Sequence, residues 1–272
     1  MDIVRGNQVI RLADKHACYQ KDMEKYFDLY MNAVVPSQEG DFEVVDFSHR
    51  ALQVYRHNKK PFLVESIPEE PDLMKLYLKH CPSGHLAFDF GAYCGLSTYE
   101  LSKCFDRVVA FEPDYRNRAC LKYNVLLHDL TNVIVWPEAI AGKSECLRFF
   151  NEGAIGSRIA KPEYIRGQFT AVQATTLTEV CERFGVPDLI LMDIEGAEVA
   201  VLECSKELLK REKISFAIDT NHNMPTTTVG PVTKVLEDCG YQVETDTPYD
   251  MTTTWAWKRK AESACKTFEN LL

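Results

Sequence analysis

The chain has 272 residues, 46% of them hydrophobic and 26% charged, with a formal net charge of −9. That length suits one large domain or one domain with an extension, and the acidic balance argues against a nonspecific nucleic-acid binder, which carries a basic footprint. No apolar run is long enough to span a membrane. The start, MDIVRGNQVIRL, lacks the basic-then-apolar pattern of a signal peptide, so a cytoplasmic location is expected. The chain has 10 cysteines and no CxxC pair, which predicts reduced, mostly buried thiols rather than a zinc knuckle or a disulfide framework.

Residues 1–80 read as an N-terminal α+β extension. YQKDMEKYFDLYMNAVV (19–35) has the period of an amphipathic helix, and FEVVDFSHRALQVYRH (42–57) reads as two short strands around a polar turn. PEEPDLMKLYLKHC (68–81) opens with prolines and acids and then turns periodic, as a helix start does. The extension has three candidate roles: a cover for a cleft, a selector of substrate, or a homodimer contact.

From residue 86 apolar runs alternate with helical stretches. LAFDF, RVVAFEP, NVIVWPEAI, DLILMDIEG and ISFAIDTNHN read as strands. LSTYELSKCF, YRNRACLKYNVLLHD, LTEVCERFG, AEVAVLECSKELLKR and GPVTKVLEDCG read as the helices between them or after them. YQVET and TTTWAWKR close the sheet as an antiparallel edge pair. This alternation predicts an α/β fold: a Rossmann-like open, mostly parallel, seven-stranded sheet with helices on both faces. The main domain is expected over 81–260, with a strand-rich insertion around 143–172 and a tail at 261–272.

In such sheets ligands bind beyond the carboxyl ends of the strands. Five acids fall there: Asp89, Glu112, Glu138, Asp193 and Asp219. FDFGAYCG (88–95) ends a strand in Asp89 and then turns through Gly91 and Gly95. The dinucleotide pattern GxGxxG lacks its middle glycine here, and no GxxxxGK[ST] loop is present. An acid before the turn also repels phosphate. Glu112, about 20 residues on, is placed to accept from both ribose hydroxyls. Together these features favour S-adenosylmethionine, whose sulfonium is cationic, over a nicotinamide dinucleotide or a plain strand–turn–helix corner. Its site is expected at Asp89, Gly91, Ala92, Tyr93, Gly95, Glu112, Pro113, Glu138, Ala139 and Asp193. Glu138 is read either as the adenine-edge acceptor or as a solvated turn residue.

Asp193 and the cluster Asp219, Asn221 and His222 are expected to share one cleft floor. Two chemistries stay open. Asp193, Asp219 and Asn221 offer the oxygen ligands that Mg²⁺ favours. Alternatively, no metal is used, and His222 acts as general base beside Asp193 and Asp219. Ser157 and Arg158, in the flexible stretch EGAIGSRIA, are candidates for acceptor binding together with Glu195 and Asn221. Glu198, in a first helical turn, is read as structural.

FDFGAYCGLSTYELS, VVAFEPDYRNRACLKYN, NVIVWPEAIAG, TTLTEV and LILMDIEGAEVAVL resemble, in this order, the FkbM-type methyltransferases, a branch of the Rossmann-like S-adenosylmethionine enzymes. The resemblance runs from about 86 to 223, and DIEGAE is its most specific piece. It implies a glycine turn at Asp89, Gly91 and Gly95, a ribose acid at Glu112, and the family's acid-rich strand end at Asp193 and Glu195. Many members carry an acid with a nearby histidine after the fifth strand; here the acid is Asp219, and His222 is displaced within DTNHN. The function so implied is O-methylation of a small-molecule hydroxyl on a sugar, polyketide or other natural product. A catalytically silent nucleoside-binding scaffold and a nicotinamide-dependent oxidoreductase are the competing readings.

Overall fold

The computed structural model describes residues 1–14, 17, 20–33, 36–47, 53–57, 60–64, 77–151, 156–160, 169–221, 227–247 and 252–258. The first elements are a hairpin, β1 (Asp2–Arg5) and β2 (Gln8–Leu12), then α1 (Gln20–Lys25) and α2 (Phe27–Ala33). After them come β3 (Ser37–Glu39), β4 (Phe42–Phe47), β5 (Gln53–His57) and β6 (Lys60–Val64). The single helix expected over 19–35 is two short ones. The two strands expected within 42–57 both form but do not pair: β4 lies between β2 and β3 in a four-stranded sheet, and β5 pairs with β6. The helix expected from residue 68 falls largely outside the described residues.

The main domain runs β7 (Gly84–Phe90), α3 (Leu96–Ser102), β8 (Phe105–Phe111), α4 (Tyr115–Leu127) and β9 (Val133–Trp136). The insertion contributes β10 (Ala139–Ile140), β11 (Cys146–Phe150), β12 (Arg158–Ile159) and β13 (Phe169–Thr175). There follow α5 (Leu177–Phe184), β14 (Leu189–Met192), α6 (Glu198–Cys204), α7 (Lys206–Arg211), β15 (Ser215–Asp219), α8 (Val229–Asp238), β16 (Gln242–Asp246) and β17 (Thr253–Trp257). Seven strands form one sheet in the order β9-β8-β7-β14-β15-β17-β16. Only β17 runs against the rest. The order reverses between β7 and β14, where the chain leaves first towards one edge and then towards the other.

Two predicted elements divide. NVIVWPEAI is not one strand: β9 ends at Trp136, and β10 pairs instead with β13 in the insertion's own sheet. Pro137 stands at the break, where it has no N–H to continue the ladder. AEVAVLECSKELLKR breaks at the buried Ser205 into α6 and α7.

Alternation along the strands builds two faces. Phe88, Phe90, Phe111, Ile190, Met192, Phe216 and Ile218 pack with α5 to α8 through Val180, Val201, Leu202, Leu209 and Leu236. On the other face Ala87, Val108, Leu189, Leu191 and Ala217 pack with Tyr77, Leu101 and Trp255, and Ala110 packs with Ala92 and Leu121. The N-terminal unit has its own core of Ile10, Met23, Phe27, Tyr30, Phe47 and Phe62, which continues onto Tyr99 of α3 and Cys120 of α4. Those two helices therefore lie between the sheet and the N-terminal unit.

Eight cysteines are free thiols among the described residues; Cys94, Cys120, Cys181 and Cys239 are buried, while Cys146 and Cys204 are exposed. The expectation of mostly buried thiols holds for the first four only. No described helix is long and apolar enough to cross a membrane.

Candidate functional site

Strand periodicity sets the site. In β7, Phe88 and Phe90 point to the α5–α8 face, so Asp89 points to the other. The same alternation sends Glu112 after β8, Asp193 after β14 and Asp219 at the end of β15 to that second face. The ladder continues just past the strands, with Glu112 N–H on Trp136 O at 3.0 Å and Asp193 N–H on Phe90 O at 2.9 Å. Asp89 lies opposite Ala110 and Leu191, and Leu191 opposite Ala217. Four adjacent strands thus each bring one acid to a single edge. Glu112, Asp193 and Asp219 stand at one level, with Asp89 one pleat deeper, about 7 Å along the strand.

Asp89 is buried and accepts from Ser97 Oγ at 2.8 Å and Thr98 Oγ1 at 2.6 Å, both in the first turns of α3. Burial pushes its carboxyl up to about 6; the two hydroxyls oppose this and the charge of Asp193 adds to it. Gly91 has φ +84°, and a Cβ there would lie 1.8 Å from Asp193 O. Ala92 is buried, with its N–H on Phe111 O and its carbonyl accepting from Gly95 N–H. Ala92 therefore shapes the turn with both polar groups engaged.

Tyr93 takes the left-handed region at φ 49° and donates its N–H to Glu112 Oε2 at 2.8 Å. Oε1 of Glu112 accepts from Asp114 N–H, also at 2.8 Å. Burial raises the Glu112 carboxyl to about 8, against these two N–H groups and the nearby Arg118. Arg118 donates to the carbonyls of Glu112 and Pro113 at 2.7 and 2.8 Å. Asp114 caps α4 by accepting from Arg116 N–H at 2.8 Å.

After β14 the chain turns through Glu195 at φ 56° and Gly196 at φ 100°. Oε1 of the buried Glu198 accepts from Ile194 N–H and Gly196 N–H at 3.3 and 3.0 Å, a turn-holding role that agrees with its structural reading. Tyr93 and Glu195 thus place two left-handed non-glycine residues on either side of the point where the sheet order reverses, where held strain is commonly found at working sites. Asp219 is buried and accepts from Asn221 N–H at 2.9 Å. His222 lies outside the described residues.

Other expected residues fall elsewhere. Glu138 pairs with Arg183 of α5 at 2.9 Å, in a cleft of about 420 Å³ that Ser144, Thr175, Glu179 and Glu182 also line. That cleft is on the α5 side of the molecule. Ala139 is buried in β10. Ser157 Oγ donates to Asp114 Oδ2 at 2.7 Å, which ties the insertion to the start of α4, two residues beyond Glu112. Arg158 turns back to Gly156 O at 2.8 Å. Among the described residues no three His, Cys, Asp or Glu side chains gather as a metal site. Asp193 and Asp219 are thus not part of any such cluster, and the expected Mg²⁺ is not supported.

Tyr77 was not visible as a site residue in the sequence. It is buried against Leu191 and Ala217, below the acid edge, and Asp193, Asp219 and Asp89 all add to the burial that drives its phenol pKa up. Its partners lie more than ten residues away along the chain, so no local spacing marks it.

A Rossmann-like sheet with an acid-lined edge at its reversal point defines the class. The chain belongs to the FkbM methyltransferase family: the family model described as Methyltransferase FkbM domain matches residues 89–243, more than half of it. It is a family of S-adenosylmethionine-dependent enzymes. No curated protein matches the chain. Among solved structures it is similar to a methyltransferase FkbM from Methylobacillus flagellatus KT, with 18% identity, a TM-score of 0.48, and coverage of 64% of this chain and 44% of that one. It is also similar to a precorrin-6y C5,15-methyltransferase from Geobacter metallireducens GS-15, with 15% identity, a TM-score of 0.48, and coverage of 72% of this chain and 92% of that one. A SAM-dependent methyltransferase from Aquifex aeolicus gives 18% identity, a TM-score of 0.40, and coverage of 69% and 93% respectively.

Proposed function

We propose that this chain moves the methyl group of S-adenosylmethionine to a hydroxyl of a small-molecule acceptor. The observation that carries the reading is the row of acids, one from each of four adjacent strands, at the reversal point of the sheet. The donor set suits the cofactor. Each Glu112 oxygen accepts one backbone N–H and keeps a second lone pair, so the carboxylate can take both ribose hydroxyls. Asp89 and Asp193 put negative charge where a sulfonium and an amine would lie, and where a pyrophosphate would be repelled. Gly91 keeps that part of the edge clear of side chains.

When bound, the cofactor supplies a methyl group on a good leaving group. The protein's part is then alignment and exclusion of water. The turn 91–95 and Glu112 hold the nucleoside. Asp193 faces the acceptor side and takes the hydroxyl proton, with Asp219 beside it and His222 as the alternative base. Glu195, Asn221, Ser157 and Arg158 are assigned to the acceptor's surroundings, and the N-terminal unit, packed on α3 and α4, to the outer wall. A small hydroxyl compound is preferred over nucleic acid because the chain is acidic, with a net charge of −9.

Calorimetry of the EDTA-treated protein with S-adenosylmethionine, S-adenosylhomocysteine and NAD tests the donor. Micromolar binding of the first two and none of NAD is expected, and binding of NAD alone overturns the reading. Release of S-adenosylhomocysteine across a panel of sugars, phenols and polyketide alcohols then tests the acceptor. Tight donor binding with no turnover on any of them supports a silent scaffold instead.

A further inference from the structure

Asn124 sits on α4, away from the acid edge, and is buried. Its side chain is fully engaged. Oδ1 accepts from Leu63 N–H at 2.9 Å, and Nδ2 donates to Leu63 O at 2.8 Å. The side-chain amide thereby acts as one more strand residue for the outer edge of β6. The second hydrogen of Nδ2 goes to Cys94 O, also at 2.8 Å. Cys94 is buried in the middle of the glycine turn, between Tyr93 at φ 49° and Gly95 at φ 90°.

The bonds form one chain. The hairpin β5–β6 holds Asn124, Asn124 holds Cys94 O, and the preceding residue, Tyr93, holds Glu112. A left-handed tyrosine is disfavoured and persists only where its surroundings dictate it. Tyr93 N–H on Glu112 is one such constraint, and Asn124 on Cys94 is another. Without the amide, Cys94 O and both polar groups of Leu63 would lose these hydrogen bonds in a buried setting.

We propose that Asn124 is a positioning residue of the donor site, keeping the turn 91–95 in its binding shape through Cys94 and making the β5–β6 hairpin part of that frame. This rests on the turn being the donor's seat. Coupling of this kind is reciprocal, so the donor must in turn stabilise the hairpin's bonds to Asn124.

His128, also from the α4 end, supplies the control. Its Nε2 donates to Pro61 O at 2.9 Å and its ring lies 4.2 Å from that of Phe62, so it ties the same hairpin without touching the turn. The test uses the full chain in three measurements. Hydrogen exchange at Leu63 N–H is followed with and without S-adenosylhomocysteine. Donor affinity is measured by calorimetry for Asn124→Asp, which keeps the shape but turns a donor into an acceptor facing two carbonyls. The same is done for His128→Ala. The expected results are slower exchange at Leu63 on donor binding, at least tenfold weaker binding by Asn124→Asp, and binding within twofold of wild type by His128→Ala despite a lower Tm. Wild-type affinity in Asn124→Asp, equal weakening in both variants, or exchange at Leu63 indifferent to the donor each overturns the proposal. Should Asn124→Asp fail to fold, the wild-type exchange decides alone. If the wild-type chain binds no adenosyl compound at all, the donor reading itself fails, and that result is distinct from the others.

Discussion

The backbone N–H of Tyr93 donates to Oε2 of Glu112 at 2.8 Å, and Tyr93 does so in a left-handed conformation. The turn after β7 and the acid after β8 are therefore one unit, and a ligand that touches one acts on both.

Glu112 makes this measurable through protons. Burial raises its carboxyl from 4.5 to about 8, so it is largely protonated at neutral pH in the donor-free protein. Two ribose hydroxyls donating to it favour the carboxylate, so donor binding near pH 7 should release up to about one proton. Calorimetry in buffers of different ionisation heat reads this directly, and Glu112→Gln should abolish it and weaken binding about tenfold or more. Heats that do not vary with buffer would remove Glu112 from the ribose. The raised value also sets a stability trend: the contribution is full below about 4.5 and is lost as pH rises through about 8. Asp89 adds a smaller loss between about 3.8 and about 6. Thermal melts of the donor-free protein should fall across this range, less steeply in Glu112→Gln.

Gly91 and Gly95 should differ under the same substitution. Both have positive φ, but a Cβ on Gly91 meets the backbone carbonyl of Asp193 at 1.8 Å, whereas on Gly95 it meets the movable Leu121 Cδ1 at 2.5 Å. Gly91→Ala should cost about 3 kcal/mol or more, and Gly95→Ala about 1–2 kcal/mol. Urea unfolding of the two variants gives the ranking, and a reversed order would mean that the turn does not close on Asp193 as described.

Asp193→Asn separates chemistry from binding. A general base typically contributes about 10²–10⁴ in rate. The variant should lose about a hundredfold in single-turnover methyl transfer and weaken donor binding by much less. Unchanged turnover with lost donor affinity would assign Asp193 to the cofactor alone.

Asp114 holds two things at once, the first turn of α4 and Ser157 of the insertion. Asp114→Ala should cost about 1–2 kcal/mol, the usual worth of a lost cap with a second bond removed. Ser157→Ala should cost less and speed hydrogen exchange only near 156–160. Equal stability losses in the two variants would show that the cap contributes nothing.

Much of the site could be read before any tertiary contact was known. FDF, VAFEP and AID set an acid out of phase with their large apolar residues, and in LMDIEG Asp193 follows Met192 in the same way although Leu191 shares its face, so the acids' common face follows from the period of a strand. Glu138 shows the limit of that reading. Its sequence context matches the other strand ends, yet the strand ends before Pro137 and the side chain pairs with Arg183, 45 residues on. Tyr77 and Asn124 carry no local signal at all; the Asn124 partners are 61 and 30 residues away.

By itself the sequence determined where β7, β8, β14 and β15 end, which face Asp89, Glu112, Asp193 and Asp219 take, and where glycine must turn the chain. Those properties depend on backbone geometry and on neighbours within a few residues. Only the tertiary structure decided that β7 and β14 stand side by side, that the insertion docks on Asp114, and that the β5–β6 hairpin joins the turn through Asn124. These depend on which distant buried polar groups find partners as the layers pack, and many sequences with the same local periods could settle that choice differently.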